Sequence, residues 1–156
     1  MILIAHNIRS SHNVGSMFRT ADGAGVEKIF LTGYTPDHTD PRGKVRPEFV
    51  KVSLGAENFV PWERTRTLAQ AIKKVKKLGY TVVAIEQHAN STSLFDYNAK
   101  DKKLAVIMGN EVRGISTQSL KHCDAILEIP MHGKKESLNV GVTAGIVLFT
   151  LKKSAN

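Results

Sequence analysis

The chain has 156 residues and an ordinary globular composition, 42% hydrophobic and 23% charged, which predicts one folded domain over residues 1–156 and excludes a disordered or low-complexity protein. Its 22 Lys and Arg residues outnumber its 14 Asp and Glu residues, giving a formal net charge of +8. This balance favours an anionic partner, of which nucleic acid is the commonest large one, although charge alone equally fits a protein that it merely keeps in solution.

The cysteine and histidine content gives no sign of a metal site or a disulfide. Cys123 is the single cysteine, and the six histidines are scattered without a pair at metal-ligand spacing. Residues 1–6 are too short a run for a signal peptide, and the longest uncharged run, residues 137–151, is shorter than the roughly 20 residues of a membrane span. We therefore expect no metal, no membrane partner and a cytoplasmic location.

Short apolar runs alternate with helical patterns from the N-terminus onward. The runs are rich in Ile, Val and Leu without polar alternation, which is typical of strands buried on both faces. They cover residues 2–5, 28–31, 81–85, 104–108 and 125–129. Between them, Asn13 is a candidate N-cap for a helix that ends near Gly23, and residues 68–78 form a second helix with four lysines on its outer face. The alternation predicts an α/β fold, with helices on both faces of a mostly parallel sheet.

Two further segments depart from this pattern. Residues 34–51 contain three prolines and form the one long irregular stretch of the prediction. Residues 140–151 are apolar in nearly every direction around a helix, so this helix must be buried on more than one side. The second side of this helix packs either against the core or against another subunit, and we favour a dimer.

Three loops carry glycines and polar residues beside these elements. Arg19 lies about 140° around the first helix from the buried Val14, where a cation is usually only solvated. The loop from Gly109 to Gly114 follows a strand directly, and its glycines permit either close approach to a ligand or an ordinary tight turn. In the segment after the last strand, Ser137 and Asn139 stand where they would cap the final helix.

The topology of a parallel sheet predicts that these loops share one crevice. Gln87, Gly109 and Ile129 stand at or just beyond the ends of predicted strands, and ligands of open α/β sheets bind beyond the carboxyl ends of strands. Neither a GxGxxG motif nor a Walker loop is present. A nucleotide-like ligand without phosphate contacts, such as S-adenosylmethionine, fits that absence.

The loops together resemble the three sequence motifs of the SpoU (TrmH-like) class of SPOUT RNA 2′-O-ribose methyltransferases. The matching residues are Asn13-x-Gly15-x-x-x-Arg19, Gly109-Asn110-Glu111-x-x-Gly114, and Ile129-Pro130-Met131 followed by Glu136-Ser137-Leu138-Asn139-Val140. Residues 54–62 also resemble the segment that these enzymes carry after their second strand. Any one motif is weak, but the similarity runs through essentially the whole chain in order.

The resemblance implies a C-terminal trefoil knot, a homodimer and S-adenosylmethionine as the cofactor. Matched position by position, it assigns catalytic or site-shaping roles to Arg19, Asn13, Glu111, Ser137 and Asn139. The residues that it implies for cofactor binding are Gln87, Gly109, Ile129, Met131, Ser137 and Leu138.

The chemistry of ribose methylation bears on the role of Arg19. A ribose 2′-hydroxyl titrates well above neutrality, so some group must stabilise the developing oxyanion. A guanidinium titrates above about 12 and is a poor base. We therefore predict that Arg19 acts as a fixed cation beside the oxyanion or the adjacent phosphate, while the proton leaves to a phosphate oxygen or to water.

Docking of the RNA requires a basic surface. The candidates are Arg9, Arg19, Arg42, Lys44 and Arg46, and the lysine face of residues 73–77 is a further one, for which a solvated helix is the alternative. The sequence has no interleaved aromatic residues of the kind that stack single-stranded bases.

These inferences predict an enzyme that transfers a methyl group from S-adenosylmethionine to a ribose 2′-hydroxyl of tRNA or rRNA. The sequence suggests no added RNA-binding domain, which slightly favours tRNA, a compact substrate that can meet both subunits. One alternative is a non-catalytic RNA-binding module that retains the S-adenosylmethionine pocket. Another is a methyltransferase for a small molecule or a protein, which the net charge disfavours.

Overall fold

A seven-stranded parallel sheet forms the centre of the molecule. The computed structural model describes residues 1–155. The strands are β1 (Ile2–His6), β2 (Lys28–Thr32), β3 (Trp62–Thr65), β4 (Thr81–Ile85), β5 (Thr92–Ser93), β6 (Leu104–Met108) and β7 (Ala125–Glu128). They pair in the order β3-β2-β1-β6-β4-β7-β5, and every neighbouring pair is parallel. All carboxyl ends therefore lie at one edge of the sheet.

Helices cover both faces of this sheet. They are α1 (Ser11–Gly23), α2 (Pro47–Ser53), α3 (Leu68–Lys77), α4 (Thr117–Leu120) and α5 (Val140–Ala155), with short 3₁₀ turns at Ala56–Asn58 and Leu94–Asp96. One hydrophobic core joins the sheet to α1, α2 and α5, and a second joins its other face to α3 and α4. The predicted parallel α/β sheet is confirmed, and the trefoil knot stays a prediction.

The two strands that the sequence did not indicate are the outermost ones. β3 carries the charged residues Glu63 and Arg64 and is largely not buried, so it has no continuous apolar run. β5 contains only two residues. Edge strands need less apolar surface than central ones, and the pattern that identifies buried strands therefore misses them.

Helix α1 begins earlier than predicted, because Ser10 and not Asn13 is its N-cap. Ser10 has an extended backbone, and its hydroxyl oxygen accepts a hydrogen bond from the Asn13 backbone N–H at 3.2 Å. Asn13 instead lies in the first turn, where its side chain is free to reach other elements.

The stretch predicted to be irregular, residues 34–51, ends in helix α2. Pro47 stands in the first turn, where its fixed φ favours helix and its missing N–H costs nothing. The helix buries Phe49 against Phe18 of α1, with ring centroids 5.4 Å apart. With seven residues and two buried positions, α2 is too short to show a helical period in the sequence.

Helix α5 buries one face and exposes another apolar face. Ala144, Val147 and Leu151 are fully buried, whereas Val142 and Phe149 are each 53% exposed. The two exposed residues are seven positions apart and so share one side of the helix. Within residues 1–155, no helix has the length and apolar character needed to cross a membrane, and no cluster of His, Cys, Asp or Glu is arranged to hold a metal ion.

Candidate functional site

A cavity of about 290 Å³ opens at the carboxyl ends of three adjacent strands, β6, β4 and β7. This is where open α/β sheets bind ligands. All six residues implied for cofactor binding line it, as does Glu111. The structure thus brings together three loops that are widely separated in sequence, while the roles of these residues stay predictions.

The loop from Gly109 to Gly114 forms one wall of the cavity and requires glycine at both ends. A Cβ atom at Gly109 would lie 2.5 Å from the Ile115 side chain. Gly114 has a φ of +61°, and a Cβ there would overlap the Glu86 carboxylate. That carboxylate accepts hydrogen bonds from the backbone N–H groups of Ile115 at 2.7 Å and Gln87 at 3.1 Å. Glu86 therefore fastens the loop to the end of β4.

Asn110 connects the same loop to β1 and β2. Its side chain is buried, and its Oδ1 accepts hydrogen bonds from the backbone N–H groups of Val112 and Arg113. Its Nδ2 donates to the Asn7 carbonyl oxygen and to the Tyr34 hydroxyl oxygen, each at 2.9 Å. Sequence reasoning gave no role to Glu86 or Asn110. A carboxylate directly after a buried strand was the available signal for the first of them.

Three predicted site residues from three different motifs form one hydrogen-bonded chain. The Asn13 side chain donates from Nδ2 to Glu111 Oε1 at 3.2 Å. The Asn139 side chain donates from Nδ2 to Asn13 Oδ1, also at 3.2 Å. Asn139 Oδ1 accepts from the Gly141 backbone N–H at 2.9 Å and so caps α5. The chain connects the cavity wall to the first turns of α1 and α5.

Hydrogen bonding keeps Glu111 ionised. Partial burial alone would raise its pKa, but backbone N–H groups, including that of Arg9, and the Asn13 amide donate to the carboxylate and hold the pKa below its ordinary value. At neutral pH Glu111 is therefore an acceptor that positions its neighbours. It is not a proton donor.

The charge of the cavity lining is opposite to that of the whole protein. Four acidic residues are among those that line it, Glu86, Glu111, Glu128 and Glu136, and within the described part of the chain no Lys, Arg or His does so. A ligand bound through phosphate groups would meet repulsion here. A cationic ligand would be stabilised.

Arg19 lies outside this cavity. Its side chain is exposed on α1, and within residues 1–155 it forms no ion pair and is not among the cavity-lining residues. Helix α1 packs beside α5, where a Cβ at Gly141 would lie 3.3 Å from Ser16 Oγ. Arg19 stands next to this contact on the helix surface.

The other basic residues predicted to bind RNA differ in their exposure and in their hydrogen bonds. Arg9, Arg42 and Lys44 are exposed, whereas Arg46 is half-buried and donates from Nε to the Thr39 carbonyl oxygen at 3.1 Å. The Asp40 carboxylate accepts hydrogen bonds from the backbone N–H groups of Arg42 and Lys44 and so fixes the turn that presents them. This loop follows the carboxyl end of β2, the edge of the sheet that carries the cavity.

A second, basic groove lies beside α3 and the end of β3. Its lining residues are Arg64, Thr65, Arg66, Gln70, Lys73, Lys74 and Lys77. Arg64 pairs with Asp37 at 2.9 Å, and Lys74 pairs with Glu63. In the described range, Arg66, Lys73 and Lys77 form no ion pair. The lysine face predicted from the sequence is therefore partly neutralised by acidic neighbours.

The sequence profile of the SpoU rRNA methylase family matches residues 1–149, and the chain belongs to this family. Over 154 residues it is 36% identical to an uncharacterized tRNA/rRNA methyltransferase of Archaeoglobus fulgidus, covering 97% of this chain and 64% of that one. It is 33% identical over 148 residues to the 23S rRNA (guanosine-2′-O-)-methyltransferase RlmB of Neisseria meningitidis, covering 95% and 56%.

A solved structure has the same fold. The AdoMet-bound rRNA methyltransferase of Sinorhizobium meliloti is 29% identical and superposes with a TM-score of 0.87, over 97% of this chain and 55% of that chain. The chain thus spans between about half and two thirds of the length of these relatives.

Proposed function

We propose that this protein transfers a methyl group from S-adenosylmethionine to a ribose 2′-hydroxyl of RNA. The observation that carries the proposal is the cavity at the ends of β6, β4 and β7. Glu111 in its wall accepts a hydrogen bond from Asn13, which belongs to the helix that bears Arg19. RlmB of Neisseria meningitidis is named for this reaction on 23S rRNA, which supports the assignment. Both tRNA and rRNA are retained as substrate classes.

The chemical character of the cavity lining fits S-adenosylmethionine. Its sulfonium and ammonium groups match a lining with four acidic residues and no basic one in the described part of the chain, and its lack of phosphate matches the absence of a phosphate-binding loop. Gln87, Gly109, Ile129, Met131, Ser137 and Leu138 would hold it. When bound, it supplies a methyl group already activated on sulfur.

The protein's own contribution is then to position the acceptor and to stabilise charge. Arg19 supplies a fixed cation for the oxyanion that develops on the ribose or for the adjacent phosphate. Ionised Glu111 holds Asn13 in the first turn of the same helix. The acceptor proton would leave to a phosphate oxygen or to water, because a guanidinium is a poor base and Glu111 is engaged as an acceptor by Asn13 and Arg9.

A homodimer would bring Arg19 to a cavity. Arg19 is not among the residues that line the cavity, and the helix that bears it packs beside α5, which exposes the apolar residues Val142 and Phe149. A second copy that covers this face would bury the apolar side chains, and the two-fold symmetry would place each α1 against the other subunit. A cytoplasmic location stays a prediction.

The function is tested by incubating the protein with tritiated S-adenosylmethionine and unmodified total tRNA or rRNA. We expect label in one RNA class, alkali-resistant at one nucleotide because the 2′-oxygen is blocked. Label in neither RNA would overturn the proposal. Retained binding of both RNA and cofactor would then favour the binding module, whereas cofactor binding without RNA binding would favour a small-molecule or protein substrate.

The salt dependence of RNA binding tests which basic surface docks the substrate. Replacing Arg42 and Lys44 by Gln removes two exposed cations, so the slope of log affinity against log salt should become less steep by about 1.4 to 1.8. Fluorescence anisotropy with labelled RNA measures the slope between about 50 and 300 mM KCl.

The matched control replaces Lys73 and Lys77 by Gln, which changes the net charge equally on the face of α3. We expect its slope to equal that of the wild type. The reverse pattern, with a loss only in the control, would move the docking surface to the groove beside α3.

A further inference from the structure

Tyr34 presents an exposed aromatic ring beside the cavity. The side chain is 57% exposed, and within residues 1–155 its ring makes no aromatic or cation–π contact. It stands just beyond the carboxyl end of β2, at the edge of the sheet that carries the cavity.

Hydrogen bonds hold both the side chain and the backbone of Tyr34. Its hydroxyl oxygen accepts a hydrogen bond from Asn110 Nδ2 at 2.9 Å, and its backbone N–H donates to Asn7 Oδ1 at 3.2 Å. Asn110 also donates to the Asn7 carbonyl oxygen, so the three residues form one connected unit. The ring is therefore held in place although it is exposed, and little conformational entropy remains to be lost when a ligand contacts it.

The position of the ring relates it to the acceptor and not to the methyl donor. Asn110 belongs to the loop that walls the cavity, and Tyr34 is attached to it without lining the cavity itself. Glu111, the next residue of the loop, contacts Asn13 of the Arg19-bearing helix. Tyr34 and this helix thus flank the same loop.

We propose that Tyr34 is a stacking platform for a base of the RNA, either that of the acceptor nucleotide or its neighbour. This inference rests on the proposed function. Sequence-specific recognition of RNA mostly uses single-stranded loops and bulges whose bases are splayed out, and an exposed aromatic face compensates such a base for its lost stacking. A search for interleaved aromatic residues in the sequence does not find such a site, because a single ring is sufficient for stacking. The residue that holds this ring, Asn110, is 76 positions away in the sequence.

Binding of a single-stranded oligoribonucleotide that contains 2-aminopurine tests the platform without requiring catalysis. Stacking on Tyr34 should quench the 2-aminopurine fluorescence, and Tyr34→Ala should weaken binding about 5- to 100-fold and abolish the quenching. Tyr34→Phe keeps the ring and should bind within about threefold of the wild type. In the methylation assay, Tyr34→Ala should raise KM for RNA and leave the affinity for S-adenosylmethionine unchanged.

The matched control is Phe59→Ala. Phe59 is 73% exposed but precedes β3 and so lies at the opposite edge of the sheet; its removal should change neither binding nor quenching. The inference is overturned if Tyr34→Ala binds the oligonucleotide like the wild type, if it weakens cofactor binding equally, or if sedimentation velocity shows that it only dissociates a dimer. Absence of methyl transfer by the wild type would instead count against the proposed function.

Discussion

Replacing Arg19 by alanine is expected to reduce methyl transfer to RNA by about 10²- to 10³-fold, the usual cost of removing one group that stabilises an oxyanion. The affinity for S-adenosylmethionine should stay within about twofold of the wild type, because the proposed role of Arg19 is to stabilise charge on the acceptor in the transition state and not to hold the cofactor. Single-turnover transfer of labelled methyl groups measures the first quantity, and isothermal titration calorimetry measures the second.

Two control variants separate the role of Arg19 from a general effect of charge. Lys121→Ala removes one exposed cation that follows α4 and should leave transfer unchanged. Arg19→Lys keeps the charge without the planar fork of donors and should recover only part of the activity. Equal losses of transfer and cofactor affinity in Arg19→Ala would contradict a role at the acceptor.

If the protein forms the proposed homodimer, mixed dimers test whether Arg19 acts across its interface. Arg19→Ala subunits keep an intact cavity, whereas Gly114→Ala subunits keep Arg19. The assay uses a cofactor concentration that saturates the wild-type cavity but not that of Gly114→Ala. If Arg19 serves the partner's cavity, random mixing of the two impaired variants should restore roughly a quarter of the wild-type activity, because half of the dimers are mixed and each has one complete site. No recovery in mixed dimers would place Arg19 in the same subunit as its cavity.

Gly114→Ala should weaken binding of S-adenosylmethionine by at least about tenfold. The backbone at Gly114 is left-handed, which costs an ordinary residue about 1–2 kcal/mol, and the added methyl group would displace the Glu86 carboxylate. Loss of the hydrogen bond from Ile115 to that carboxylate would then release the loop from β4. Equilibrium dialysis of labelled cofactor measures the effect.

Gly133→Ala is the matched control for this variant. It makes the same change in the segment after β7, where the structure leaves open space around the added methyl group, and the Gly133 backbone does not have a positive φ. Its cofactor affinity should equal that of the wild type. Wild-type affinity in Gly114→Ala would mean that the loop geometry does not determine cofactor binding.

The sequence predicts those parts of the fold that depend on local burial. The five central strands were indicated by apolar runs, because strands buried on both faces leave no polar positions. β3 was missed because an edge strand tolerates Glu63 and Arg64. The start of α1 was misplaced because Ser10 and Asn13 are both good capping residues and only the backbone geometry separates them.

The candidate site was predictable where a motif marks it and not where distant residues meet. The motifs predicted that three loops meet at one edge of the sheet, since parallel strands share a direction. No pattern in one sequence indicates that Asn139 contacts Asn13, 126 residues away, or that Tyr34 contacts Asn110. These contacts follow from the order of the strands, which periodicity does not specify.

In the hydrogen-bonded chain from Glu111 through Asn13 to Asn139, the direction of donation is determined by the groups at its two ends. An ionised carboxylate can only accept, so the amide nitrogen of Asn13 must face Glu111. The backbone N–H groups at the start of α5 can only donate, so the amide oxygen of Asn139 must face them. Turning either amide over would put like groups together at two points. The orientation of two solvent-accessible side chains is thus locked by electrostatics where packing is too loose to do so.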